Sequence, residues 1–271
     1  MPELPEIETA RRGIAPHILQ RTVMKVLIRD SRLRWPVPAR LGSVLRGHTV
    51  NSVDRRGKYI LVGFDHGSLI LHLGMSGSLR VVSKGTPYRK HDHIELWFDT
   101  GQCLRLHDPR RFGAVIWTDS DPHAHKLLCD LGPEPLQRSF NGSHLYQHSR
   151  KRTQVVKTFI MDSHIVVGVG NIYANEALFL AGIRPDTPAG EVSLPRYNTL
   201  AVCIKQTLKR AIGQGGTTLR DFVNSDGNPG YFQQTLNVYG RKHLPCKTCG
   251  QLILHSILGQ RATYYCAHCQ R

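Results

Sequence analysis

The sequence predicts an α+β protein: an N-terminal β-sandwich with flanking helices, then a helical domain, then a C-terminal hairpin built on four cysteines. Three observations lead there. The first half breaks into short apolar runs between turn residues, the period becomes helical after a Gly/Pro joint at residues 131–135, and two CxxC pairs close the chain. The boundaries fall at 2–132, 133–236 and 237–271.

Residues 4–20 read as a helix, because Ile7, Ala10, Ile14 and Ile18 recur at helical spacing and Pro5 is tolerated in a first turn. Strands follow at residues 59–64 and 69–73 around the turn Asp65-His66-Gly67, then at 78–82, 93–98, 103–106 and 114–117, with Asp99-Thr100-Gly101 joining two of them. Beyond the joint, helices are expected at 153–161, 171–181 and 195–212. The last carries Tyr197, Leu200, Ile204, Leu208 and Ile212 on one face. A Gly/Asn/Asp-rich stretch begins at residues 213–216 and runs to Tyr231, and it reads as a mobile loop.

Charge narrows the function. Lys and Arg number 36 against 20 Asp and Glu, a formal net charge of +16. An excess of that size points to a polyanionic partner. No apolar run of 18 residues and no basic, apolar leader occurs, so a cytosolic or nucleoid protein is expected. Of the seven cysteines, Cys103, Cys129 and Cys203 sit in apolar contexts and read as small buried hydrophobes. Cys246, Cys249, Cys266 and Cys269 form two CxxC pairs with 16 residues between them, a spacing suited to a tetrahedral zinc site. All four positions are protein ligands, which makes the site structural. Disulfides are the alternative, and the lack of an export signal argues against them.

The start, Met1-Pro2-Glu3-Leu4-Pro5-Glu6, admits two readings. The simpler is a Pro-Glu helix start with acids near the positive helix end. The other is catalytic. Removal of Met1 would expose a secondary amine with a far larger free-base fraction at neutral pH than lysine, and Glu3 would stand beside it as a proton carrier.

The wider sequence favours the catalytic reading. MPELPEIET, His72-Leu73-Gly74-Met75-Ser76-Gly77, His107-Asp108-Pro109-Arg110-Arg111-Phe112-Gly113, Val167-Gly168-Val169-Gly170-Asn171-Ile172-Tyr173-Ala174-Asn175-Glu176 and the terminal CxxC pairs together resemble the bacterial formamidopyrimidine-DNA glycosylases. The resemblance runs the length of the chain. It implies a helix–two-turn–helix unit in the second domain and a zinc finger at the end. It implies removal of oxidised purines (8-oxoguanine and formamidopyrimidines) from double-stranded DNA, then strand cleavage by β- and δ-elimination.

By that resemblance Pro2 is the Schiff-base nucleophile, Glu3 the acid in base release, Lys58 the lysine assisting β-elimination and Arg261 the phosphate-gripping arginine of δ-elimination. Met75, Arg110 and Phe112 match the set that fills the gap left by an everted base. An arginine there favours a lesion opposite cytosine. Core packing is the alternative for Met75 and Phe112, but the flanking glycines and arginines argue for exposed loops. His72, His91, Arg152 and Asn171 match DNA-contact positions, residues 217–231 match a loop over the flipped base, and one structural Zn2+ and a monomer are implied. Two rivals stand beside this reading. The endonuclease VIII type, which acts on oxidised pyrimidines, usually carries a different residue where Leu4 stands. A non-catalytic zinc-ribbon DNA-binding protein would need neither Pro2, Glu3 nor Lys58.

Overall fold

The computed structural model describes residues 2–216 and 236–271; the loop expected at 217–231 lies outside the described residues. Residues 2–129 with 214–216 form one compact unit, and residues 130–213 with 236–271 form another.

The first unit opens with α1 (Leu4–Ile18), whose Leu4, Ile7, Ala10, Ile14 and Ile18 are all buried. It continues through β1 (Val23–Ile28), α2 (Leu41–Leu45), β2 (Ser52–Arg56), β3 (Tyr59–Phe64), β4 (Gly67–His72), β5 (Ser78–Ser83), β6 (Asp92–Phe98), β7 (Gln102–His107) and β8 (Ala114–Thr118). The strands form two four-stranded antiparallel sheets, ordered β1-β6-β7-β5 and β2-β3-β4-β8. One apolar cluster joins α1 to the inner faces of both sheets through residues such as Ile14, Val62, Leu71, Leu96 and Leu106. This is the expected sandwich fronted by a helix.

The second unit contains α3 (Gly142–Ser149), α4 (Val156–Met161), α5 (Asn171–Leu180), α6 (Leu194–Gly213) and a hairpin of β9 (Leu254–Leu258) and β10 (Arg261–Tyr265). α3 and α5 pack on α6, whose buried face carries Tyr197, Leu200, Ile204 and Leu208 as its periodicity requires. Among the described residues no helix is long and apolar enough to cross a membrane.

Several elements depart from the sequence reading. β1 escapes it because Lys25 interrupts its apolar run and the strand lies at a sheet edge. β2 escapes because only Val53 of its five residues is buried. α3 has a single buried apolar anchor, Leu145, and forms on a side-chain cap in which Asn141 Oδ1 accepts the His144 N–H at 2.9 Å. The helix expected from Thr153 starts only at Val156. Val155 bridges Pro188, and the Val156 N–H donates to Thr187 O at 2.7 Å, which holds the preceding residues extended. The Gly/Pro joint is packed rather than free, since the Gly132 N–H donates to Ser163 O at 2.8 Å. Cys103 and Cys203 are buried as expected, but Cys129 is exposed, because Leu128 fills the core at the end of that turn.

Candidate functional site

Strand register brings several candidate residues of the first unit to one rim. Tyr59 pairs with His72, and His72 pairs with Ala114. The start of β3, the end of β4 and the start of β8 therefore share one end of a sheet. Lys58 sits in the turn just before β3, and Met75 in the loop just after β4. Phe112 sits just before β8.

The two loops are closely fitted. Gly74 has φ +61°, and a Cβ there would lie 2.4 Å from the Phe112 carbonyl carbon, so the backbone approach demands glycine. Met75 and Phe112 are exposed, at 36% and 44%. Two bulky apolar side chains held in water on fitted loops do not belong to the core. Arg110 is exposed beside them, its guanidinium 5.1 Å from the centre of the Phe112 ring.

Buried acids set these loops. Asp108 is fully buried and accepts the Gly113 N–H at 2.7 Å, closing the turn that carries Arg110 and Phe112. Arg111 in that turn has φ +57° and pairs with Asp30 at 2.6 Å. The Asp108 N–H donates to His91 O at 3.0 Å, which joins the half-buried His91 to the same loop. Next to His91, buried Asp92 accepts from Arg80 at 2.6 Å, His107 at 2.9 Å and the Arg89 N–H at 2.8 Å. These contacts fix the backbone that presents His91.

His72 is half-buried, accepts the Gly74 N–H on Nδ1 at 3.1 Å and lies against Tyr59. Burial lowers its pKa to about 4, helped by the Lys58 and Arg34 charges. The ring is neutral at pH 7.

At the chain start, Pro2 and Glu3 are buried and lead directly into α1. The Glu3 N–H donates to Glu6 Oε2 at 2.8 Å, and Glu3 O accepts from the Ile7 N–H at 3.1 Å, so Glu3 is fixed as the helix cap. Farther along α1, Glu8 accepts from Arg11, Arg12 and, at 3.2 Å, from Arg55 of β2. Burial alone would raise the Glu8 pKa, but the arginine hydrogen bonds and charges outweigh it and leave the value at about 2. Arg55 also donates to Gly57 O at 2.9 Å. One arginine thus ties α1 to the turn that holds Lys58.

In the second unit, Gly259 and Gln260 have φ +54° and +58°, the left-handed pair of a type I′ hairpin turn, and Arg261 follows them, exposed, at the tip. The next carbonyl, Ala262 O, accepts from Asn171 Nδ2 at 3.0 Å and from Lys157 Nζ at 3.0 Å. Lys157 also donates to Thr263 Oγ1 at 2.8 Å, and Asn175 Oδ1 accepts the Tyr264 N–H at 2.7 Å. Arg261 is therefore set by side chains of α4 and α5. Asn171 begins α5 after the glycine-rich turn, with one amide hydrogen committed to the hairpin. Arg152 is exposed between α3 and α4, donating to His148 O at 2.8 Å.

Cys246, Cys249, Cys266 and Cys269 converge, with every sulfur within 4.8 Å of the others. Sγ–Sγ distances of 3.9 Å (Cys246 to Cys269) and 3.4 Å (Cys249 to Cys266) exclude disulfides. They bracket the separation of about 3.8 Å expected for thiolates at the corners of a zinc tetrahedron. The Thr248 N–H points at Cys246 Sγ at 3.4 Å, as in a metal-binding knuckle. Cys246 and Cys266 pack against Phe179, Val238 and Ile253 in a small core of their own. The four residues fit one tetrahedral metal ion.

Sequence reasoning gave no role to Lys157, Glu176, Asp92 or Asp108. Glu176 is fully buried and accepts from Asn237 N, Asn237 Nδ2, Val238 N and Tyr239 N at 2.8–2.9 Å, so it seats the segment that leads to the cysteines. The usable signal for Lys157 was a lone cation inside the apolar run from Val155 to Ile160.

Residues 1–115 match the family model of the formamidopyrimidine-DNA glycosylase N-terminal domain, and residues 131–223 match that of the formamidopyrimidine-DNA glycosylase H2TH domain. The chain is 59% identical over 271 residues to the formamidopyrimidine-DNA glycosylase of Methylococcus capsulatus, and 58% identical to that of Thioalkalivibrio sulfidiphilus, covering 100% of both chains each time. Among solved structures it is similar to the MutM (Fpg) protein of Thermus thermophilus (35% identity, TM-score 0.88, 99% of this chain and 98% of that one). It is also similar to wild-type Lactococcus lactis Fpg in complex with a DNA containing N7-benzyl-Fapy-dG (31% identity, TM-score 0.92, 100% of both chains). With both domains matched in order and full-length relatives at this identity, the chain belongs to the formamidopyrimidine-DNA glycosylase family.

Proposed function

We propose that this protein is a bifunctional DNA glycosylase and abasic-site lyase of base excision repair. It excises oxidised purines, 8-oxoguanine and formamidopyrimidines, and then nicks the strand. The observation that carries the reading is the pair of fitted loops displaying Met75, Arg110 and Phe112 in water at the rim where Lys58 and His72 also lie. A wedge, a stacking ring and a forked donor are what an everted base leaves work for. The Arg110 fork suits an orphaned cytosine.

The nucleophile is the Pro2 nitrogen, released when Met1 is removed. It attacks the sugar C1′ as the bond from C1′ to the base breaks. The base departs with a proton; the C1′–O4′ bond then opens, its electron pair going to O4′, which takes the proton shed by the Pro2 nitrogen and leaves a C1′ iminium, and Glu3, fixed as the cap of α1, carries this proton traffic. The cationic iminium then acidifies the C2′ hydrogen, and its loss expels the 3′ phosphate. A second elimination through C4′ expels the 5′ phosphate. Lys58 assists the first elimination and Arg261 the second. Asn171, through its remaining amide hydrogen and the N–H groups at the head of α5, binds a backbone phosphate, and His72, His91 and Arg152 are further DNA contacts. Zinc on Cys246, Cys249, Cys266 and Cys269 is structural; it holds the hairpin whose tip presents Arg261. The partner is damaged double-stranded DNA, the working form is a monomer, and the compartment is the bacterial cytosol.

Borohydride trapping on two duplexes tests the proposal, one with 8-oxoguanine opposite cytosine and one with thymine glycol. A covalent adduct on Pro2 with the first is expected. Preferential trapping on the second would place the protein with the endonuclease VIII type, and no adduct with either would favour a DNA-binding protein without catalysis. Recovery of an unprocessed Met1 in the active protein would also overturn the proline mechanism.

A further inference from the structure

β1 is an edge strand of its sheet, and its open edge is furnished with grooves. The edge closes only at its start, where the Val23 N–H donates to His48 O at 2.9 Å and Val23 O accepts from Gly47 at 2.7 Å. Past that point no described element other than β6 pairs with the backbone of residues 24–28. The Arg29 N–H points to His93 O on the β6 side, so alternation turns the peptide groups of Val26 and Ile28 outward. Met24 is 54% exposed and Lys25 is exposed, while Val26 and Leu27 are half-buried.

A groove of about 560 Å³ runs between β1 and α2, walled by Met24, Val26, Ser43 and Arg46. A second, of about 410 Å³, lies on the other side of the strand, where Leu27 and Trp97 meet Arg29, Lys84 and Tyr88. Lys25 borders both. The exposed charges around the strand are cationic: Lys25, Arg29, Arg46 and Lys84. The one carboxylate lining either groove, Glu95, is held by Arg105 at 3.0 Å and Arg29 at 3.3 Å.

We propose that this edge is a docking site for an extended, acidic segment of a partner protein, which adds to the sheet beside β1 as a further strand. Five residues of such a segment span about 17 Å, the length of the open edge. Its peptide groups meet those of Val26 and Ile28, and alternate side chains enter the two grooves, with apolar ones against Met24, Val26 and Leu27. Its carboxylates meet Lys25, Arg46 and Lys84. The row of unpaired peptide groups and the apolar walls suit a peptide better than a nucleic acid. A second copy of this chain is disfavoured, because antiparallel self-pairing would bring two Lys25 side chains together in two molecules of net charge +16 each. The site stands independently of the proposed DNA reaction.

The test uses a fluorescein-labelled nonapeptide alternating aspartate and isoleucine, and a control with lysine in place of aspartate. Binding to the full chain is read by anisotropy and located by amide chemical shifts. The aspartate peptide should bind and shift residues 24–28 and 41–46, and the lysine peptide should not bind. The Lys25→Glu/Arg46→Glu double variant should lose at least tenfold in affinity for the aspartate peptide while keeping wild-type activity on damaged DNA, which also reports its folding. Val26→Pro, which removes an outward N–H, should lose affinity similarly.

Failure of the wild type to bind, or equal binding by the double variant, would overturn the proposal. So would displacement of the peptide by single-stranded oligothymidylate, which would assign the edge to nucleic acid. Sedimentation showing self-association that Val26→Pro abolishes would assign it to a second copy and overturn the proposal as well.

Discussion

Glu176→Gln should destabilise the second unit far more than a one-atom change suggests. The Glu176 carboxylate is fully buried and takes four N–H groups, two on each oxygen, from residues 237–239. A glutamine amide has one oxygen. Whichever way it turns, its NH2 faces two N–H donors, so two bonds vanish and the donors stay buried without an acceptor. A hydrogen bond to a charged group contributes about 1.5–3 kcal/mol. Two such losses cost about 4 kcal/mol, a large share of a domain stability of about 5–15 kcal/mol. The strain falls where the chain enters the cysteine hairpin, because Val238, seated by Glu176, packs in the same small core as Cys246 and Cys266. Urea unfolding followed by far-ultraviolet circular dichroism gives the loss, and release of zinc to a metallochromic chelator during the same titration locates it. A shift below about 1 kcal/mol with unchanged zinc release would refute the reasoning.

Three further outcomes follow from the same structure. Glu8, held at a pKa of about 2 against its ordinary 4.5, contributes stability that is fully present above pH 4.5 and is lost as pH falls toward 2. Glu8→Gln should flatten that acid limb by on the order of 2 kcal/mol, measured as urea midpoints from pH 6 to pH 2.5, and an unchanged limb would remove the arginine cage as its cause. His72, with a pKa lowered from 6.5 to about 4, stays neutral in the folded protein, so its contribution is present above pH 6.5 and is lost as pH falls through 4. Its ring protons should not titrate between pH 8 and pH 5.5 in a nuclear magnetic resonance series, and a midpoint near 6.5 would contradict the burial argument. Chelation of the metal should release the four thiolates, loosen the hairpin and lower DNA affinity, as Arg261→Ala should by removing the cation at its tip. Full affinity in the metal-free protein, measured by fluorescence anisotropy, would separate the metal from Arg261.

The sandwich, the change to helices and the cysteine hairpin were legible in the sequence because each is a local pattern. Period-2 runs between turns, a 3.6-residue period on α6 and two CxxC pairs require no knowledge of what lies across the fold. The elements that escaped, β1, α2, β2 and α3, are short ones or ones whose apolar signal is diluted by charge or polarity, and their place is set by neighbours. The motifs likewise named Met75, Arg110, Phe112, Asn171 and Arg261 one at a time.

Only the tertiary structure showed which of these share a support. Strand register carries Lys58, His72 and Phe112 to one rim although they are spread over some 54 residues of chain, from 58 to 112. Lys157 and Asn171 meet at one carbonyl, Ala262 O, across more than 90 residues. Local sequence determines which residue types and turns are available. Long-range pairing determines which buried groups hold them, because the hydrogen bonds that Glu176 accepts depend on where a backbone 61–63 residues away comes to rest. That dependence leaves no period in the sequence to read.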